Sequence, residues 1–212
     1  MSSASQSANG GSGPLPVGAH FDGDLRRALL DAAVESIAET GVDHLSLRAV
    51  ARRTGVSHAA PAHHFGDKAG LLTVIATEGF DQFTDELSSV GSDAVDPLAR
   101  LSRLGAAYVG FAQRRPVHFA VMFRPQMIRV DDPEFVRASD SAFAALDAQV
   151  RACHEAGWRR EADPAALTIG AWALAHGLSV LGATGSLAKH DVDTSLDGIL
   201  AIGGALLGPT SS

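Results

Sequence analysis

An all-α fold follows from three features of the sequence. Its 212 residues are 46% hydrophobic, enough to bury a real core. Apolar residues recur at spacings of three and four, whereas strict alternation is rare. The breaks in that pattern fall at helix punctuation: Asp96-Pro97 and Asp163-Pro164 open helices, and Gly41, Gly55 and Gly157 close them. The pattern divides into about nine helices, with a three-helix helix-turn-helix unit ahead of a helical bundle. The expected organisation is an arm over 1–20, a helix-turn-helix domain over 21–67, and an effector-binding and dimerisation domain over 68–210.

The arm is rich in Ser, Gly and Ala and has no charged residue over 1–17. Such a segment lacks the apolar surface to fold. Minor-groove arms use Arg or Lys, and this one has neither. The first helix covers 21–40, with Leu29, Leu30, Ala33, Val34 and Ile37 on its apolar face. Arg26 and Arg27 near its start suit either a phosphate contact or plain solvation. Asp43 and His44 lie in the following loop with no assigned role.

The stretch 45–72, LSLRAVARRTGVSHAAPAHHFGDKAGLL, organises the chain. Ser46 is placed as an N-cap, and Leu47, Val50 and Ala51 fall on one face. Gly55 supplies a left-handed C-terminus without Cβ strain. Ser57 is placed to cap a second helix over 58–65, and small Ala51 lets the two helices cross closely. The N-terminal side chains of that second helix would enter a DNA major groove. Its outward candidates are His58, Ala59, Ala62 and His63. His64 and Lys68 are set for phosphate oxygens, and Ser46, Arg48 and Ser57 complete the DNA-facing set.

A long fourth helix covers 68–87, carrying Leu71, Leu72, Ile75, Phe80 and Phe83. Helices then follow over 97–114, 117–123 and 135–156. From 165 to 188 there is no Asp, Glu, Lys or Arg. That length would cross a bilayer, but Thr168, Trp172, His176, Ser179 and several glycines point to a buried helix, and no membrane association is expected. The last helix ends near 207. Because both terminal helices are apolar and dotted with glycine, they suit close packing, either inside one subunit or in a twofold four-helix dimer bundle. The dimer is preferred, since two reading heads match two half-sites about 34 Å apart. Gly170, Gly177, Leu196, Ile199 and Gly203 are its interface candidates.

The formal charge is −7, yet over 45–70 Arg48, Arg52, Arg53 and Lys68 stand against Asp67 alone. Cations are thus concentrated where phosphate would lie. One cysteine, Cys153, excludes an internal disulfide and fits a reducing cytoplasm. His58 and the His63-His64 pair form the only metal-like cluster. Neighbouring helical residues point about 100° apart, so no metal site is expected. No catalytic triad or phosphate loop appears, and no cofactor is implied.

The block Leu47, Ala51, Gly55, Val56, Ser57, His64, Phe65, Lys68, Leu71 and Leu72 resembles the DNA-binding region of the TetR family of bacterial transcriptional regulators. That family usually has an aromatic residue where Ala62 stands, and Pro61 resembles a subgroup mark. Further on, Ala99-Arg100-Leu101, Tyr108, Phe111, Pro116, Met122-Phe123 and Trp172 with His176-Gly177 resemble the subgroup with a WHG-type C-terminal domain. The resemblance implies a dimeric repressor of a double-stranded DNA operator, released by a small, largely apolar effector that tilts the fourth helix. Trp172 and His176, four apart, share a helix face. With Phe111, Phe119, Met122 and Phe123 they are the candidate pocket, His176 orienting a ligand. The same residues also read as plain core. Two alternatives remain: a helical enzyme using His176, His154 or Cys153, and a helix-turn-helix protein that needs no effector.

Overall fold

The computed structural model describes residues 18–91, 96–190, 193 and 195–207. The expected arm over 1–17 lies outside them. Among the described residues there are nine α-helices and no strand. They are α1 (Gly18–Thr40), α2 (Leu47–Thr54), α3 (Ala60–Phe65), α4 (Lys68–Ser89), α5 (Pro97–Arg114), α6 (Pro116–Met122), α7 (Pro133–Glu155), α8 (Pro164–Ala183) and α9 (Leu196–Leu207).

Local chemistry sets most of these starts. Asp67, Asp96, Asp132 and Asp163 each accept hydrogen bonds from the free backbone N–H groups of the helix that follows. Pro97, Pro133 and Pro164 stand directly after three of these caps, where a missing N–H costs nothing. Gly55 takes φ 71°, and the Gly55 and Val56 amides return to carbonyls of α2.

The main apolar core runs from the small N-terminal helices into the bundle. It begins with Leu29, Leu30 and Ile37 of α1, Val50 of α2 and Phe65 of α3. Leu71, Leu72 and Ile75 continue it along α4, and Phe80 and Phe83 carry it to Leu104, Tyr108 and Phe111 of α5. α4 packs against α5, α6 and α7, and α5 against α7, α8 and α9. With 22 residues, α4 is a rod about 33 Å long joining the small helices to the bundle. Gly79 lets α6 approach it closely, since a Cβ there would stand 2.7 Å from the Met122 sulfur.

The apolar helix α8 departs from the expectation of burial on all sides. Thr168, Ala171, Leu178 and Ser179 are buried, but Ile169, Val180 and Leu181 face outward, Ile169 at 51% exposure. That second face has no cover among the described residues.

Candidate DNA-reading surface and effector cavity

The reading head differs from its expected form at one place. A helix over 58–65 capped by Ser57 does not occur. Ser57, His58 and Ala59 form a turn closed by the Ala60 amide on the Ser57 carbonyl (3.0 Å), and α3 starts at Ala60. The cause is Pro61, which lacks an N–H and is tolerated only in a first helical turn. Shifting the start by two residues puts it there and buries its ring. Ser46 also makes no side-chain capping bond, although it stands at the N-cap of α2.

Ser46, Ser57, His58, Ala59, Ala62 and His63 are all exposed, and His64 is half-buried. The His63 and His64 rings meet edge to face at 5.5 Å. The cations fall into two groups. Arg53 is bound to Glu35 and to both oxygens of Glu39, and Arg27 to Asp31 and Glu78. Arg48 and Arg52 are exposed on α2 and make no ion pair with any described residue. Lys68 points back into the protein, donating to the Asp43 carbonyl at 2.8 Å, rather than outward to a phosphate. Arg26 lies 5.3 Å above the Phe65 ring.

Two arginines from the α6–α7 connection tie the head to the bundle. Arg124 binds the Asp43 carboxylate at 2.9 Å, and Arg129 binds Asp67 at 3.0 Å. The Arg129 amide also donates to Thr73 of α4. Hydrogen bonding to Arg124 holds the Asp43 carboxyl below the usual carboxylate range. The bond from the Gly70 amide, with help from Arg129, does the same for Asp67. Sequence reasoning missed Asp43, because its partners stand far away in the chain.

A cavity of about 570 Å³ lies between α4, α5, α7, α8 and α9. Phe80, Phe83, Tyr108, Phe123, Phe143 and Trp172 are its aromatic lining. Phe123 and Trp172 of the expected pocket set are present; Phe111, Phe119, Met122 and His176 are not. Phe111 is core, 1% exposed and packed on Phe83. Met122 is buried against Gly79, and Phe119 is occupied by contacts with Phe123 and His176.

His176 stands one layer behind the wall. Its Nδ1 is 3.0 Å from the Tyr108 hydroxyl oxygen, which accepts the Trp172 indole N–H at 3.3 Å. Burial raises the Tyr108 pKa and lowers that of His176, so both are neutral at pH 7. Tyr108 is the lining group that sequence reasoning passed over, and a signal existed. It is the single tyrosine of the chain, set in an otherwise apolar helix face.

Of the interface candidates, Gly170 and Gly177 face open space, since a Cβ at either would meet nothing within 4 Å. Leu206 at the end of α9 is 58% exposed. Gly203 lines the cavity. The side chains of Leu196 and Ile199 lie outside the described residues. No group of three or more His, Cys, Asp or Glu among the described residues is placed to hold a metal ion.

Comparison with known proteins gives a consistent answer over most of the chain. Residues 29–75 match the family model described as bacterial regulatory proteins, tetR family. Residues 101–202 match the tetracyclin repressor-like, C-terminal domain. The HTH-type transcriptional regulator BetI of Escherichia coli O127:H6 is 37% identical over 90 residues, which are 42% of this chain and 40% of that protein. The match therefore spans less than half the length of that relative. A Rhodococcus sp. RHA1 structure of unknown function is 32% identical, with a TM-score of 0.73, over 86% of this chain and 93% of that one. The TetR family regulator PfmR of Thermus thermophilus shares the fold at 19% identity and a TM-score of 0.66, over 87% of this chain and 99% of that one.

Proposed function

The chain belongs to the tetR family of bacterial regulatory proteins, and from that premise we propose that it is a cytoplasmic, dimeric repressor whose grip on DNA is released by a small apolar effector. It is a DNA-binding transcriptional regulator and not an enzyme. The observation that carries the reading is the exposed edge formed by the 57–59 turn with Ala62 and His63, together with the exposed Arg48 and Arg52 of α2, which are free of ion pairs with any described residue. That edge fits a major groove, with the two arginines along the phosphates.

The division of labour follows the domains. Residues 21–67 read the operator, and 68–210 bind the effector and pair two chains. The open face of α8, with Gly170 and Gly177, supports pairing through the terminal helices. Release requires that the effector prefer one arrangement of the heads. Filling the cavity presses on Phe80 and Phe83 of α4 and on Phe123, and all three lead toward the head.

Fluorescence anisotropy with the DNA upstream of the chain's own gene tests this. Binding should favour that DNA over unrelated duplex and weaken steeply with salt. Equal affinity for both DNAs, with little salt dependence, would end the proposal.

A further inference from the structure

We infer that the effector is a neutral, mainly apolar molecule with one hydrogen-bond acceptor of carbonyl type, recognised by the Tyr108 hydroxyl, which His176 frees by changing tautomer. This rests on reading the cavity as the effector site.

The hydroxyl already has two partners, both on α8. Trp172 has only an N–H to give, so it occupies one lone pair of the Tyr108 oxygen. The neutral His176 ring can meet the same oxygen in two ways. With its proton on Nε2, it accepts the Tyr108 O–H at Nδ1. With its proton on Nδ1, it donates to the second lone pair of the oxygen. The 3.0 Å contact serves both arrangements. In the second, the Tyr108 O–H is released and must find an acceptor. Tyr108 and Trp172 line the cavity and His176 does not, so a cavity-bound acceptor is the partner the inference assigns to the released O–H. An empty apolar cavity offers it no acceptor and favours the first arrangement. A ligand oxygen favours the second. Tyr108 is thus the contact, and His176 is a positioning residue.

The lining restricts the ligand's charge. Among the described lining residues the charged side chains are Arg103 and Asp140, both exposed, whereas Tyr108 is buried. A carboxylate or ammonium group placed beside Tyr108 would lose its water with no counter-charge. Nor do the rings form a cage for a cation. Phe80 with Phe123, Phe83 with Tyr108, and Phe143 with Trp172 meet edge to face, so ring edges already address neighbouring faces. The volume, about 570 Å³, suits a body much larger than a compact ammonium ion.

Calorimetric titration of the full chain with four probes tests the inference: 2-undecanone, pentylbenzene, decanoate and decyltrimethylammonium. The ketone should bind at least about tenfold more tightly than either charged probe. Tyr108→Phe should weaken the ketone about three- to tenfold, the worth of one hydrogen bond, and leave pentylbenzene within about twofold. In wild-type protein labelled with ¹⁵N-histidine, the ketone should move the His176 proton from Nε2 to Nδ1, and pentylbenzene should not. That measurement needs no variant, so it decides the matter even where Tyr108→Phe does not fold. Equal losses for both neutral probes, a tighter charged probe, or an unmoved His176 proton overturns the inference and leaves the effector cavity standing. Absence of binding by all four probes overturns both.

Discussion

Arg124 and Asp43 stand 81 positions apart in the chain and 2.9 Å apart in the fold. The pair joins the loop before the reading head to the residue that follows Phe123, a cavity wall residue. The Asp43 carbonyl also receives Lys68 at the start of α4, so one residue collects the bundle, the head and the connecting rod. Both partners are solvent-accessible, which makes the pair a poor source of stability. Its value lies in fixing orientation. Arg124→Ala should leave thermal stability nearly unchanged but speed amide exchange at Leu45, whose N–H closes that loop on Val42. It should also change operator affinity on the order of fivefold, a modest coupling energy. Hydrogen exchange and anisotropy on one sample check both; a fall in melting temperature with unchanged exchange would contradict the assignment.

The basic residues of α2 should separate by their partners. Arg48 and Arg52 have no ion pair with a described residue, whereas Arg53 is held by Glu35 and Glu39. Replacing Arg48 or Arg52 with Ala should weaken binding to all DNA sequences and lower the salt slope by about one per lost phosphate contact. Arg53→Ala should leave the slope nearly as it was. Titrations over a range of salt concentrations give the slopes directly, and a larger effect from Arg53 would reverse the assignment.

Most helix ends are legible in the sequence because they depend on near neighbours: Asp67, Asp96 and Asp163 cap, and Gly55 turns. The start of α3 is not, because Ser57 is a good cap locally, while the constraint from Pro61 acts four residues on. The cavity is half legible. Phe111, Phe119, Phe123 and Trp172 are all large and apolar, and nothing in their spacing separates filler from wall. That distinction is set by α4 and α7 crossing α5, which long-range packing decides. Asp43 escapes a sequence reading for the same reason, since its partners come from distant elements; Tyr108 leaves a cue as the single tyrosine, but only packing brings Trp172 and His176 to its hydroxyl.

Gly70, in the first turn of α4, lies directly against the end of α3. A Cβ there would collide with the Phe65 carbonyl oxygen and stand 3.0 Å from an Arg129 nitrogen. The arginine can move, but the backbone carbonyl cannot without shifting α3. Gly70→Ala should therefore destabilise the fold on the order of 3 kcal/mol, well beyond the helical preference for Ala. DNA binding should fall with it, because α3 carries the reading edge. Urea denaturation gives the stability change; a neutral or stabilised variant would contradict the close approach.

His118 should make the fold acid-sensitive. It is 6% exposed on α6, its Nε2 has no partner among the described residues, and burial pulls its pKa below 6.5, outweighing the opposing pull of Glu78. Arg115 and Arg27 push in the same direction as burial. The unfolded chain therefore takes up the proton first. Stability is unaffected above about pH 6.5 and declines as pH falls below it, by at most about 1.4 kcal/mol per pH unit for this group. His176, also lowered by burial, adds in the same sense. His118→Gln should flatten the melting-temperature curve between about pH 6.5 and about pH 5 by roughly the share of one histidine. An unchanged slope would show that other groups dominate.

The proposed pairing of two chains runs through the outward apolar residues of α8 and α9. Ile169 is 51% exposed and Leu206 58%, and Gly170 and Gly177 have empty space where a side chain would begin. Exposed apolar residues beside glycines on two adjacent helices form a surface that a second chain can approach closely. Light scattering should therefore give twice the 21.9 kDa chain mass for the wild type. Ile169→Glu places a charge on the face, where two copies would repel across a twofold axis, and should return the chain mass itself. The substitution removes few contacts within the chain, so circular dichroism should stay helical and the melting temperature should fall only through lost association. Operator affinity should drop sharply, because one head reaches one half-site. A variant that remains dimeric and binds the operator at full strength would place the interface on a different face.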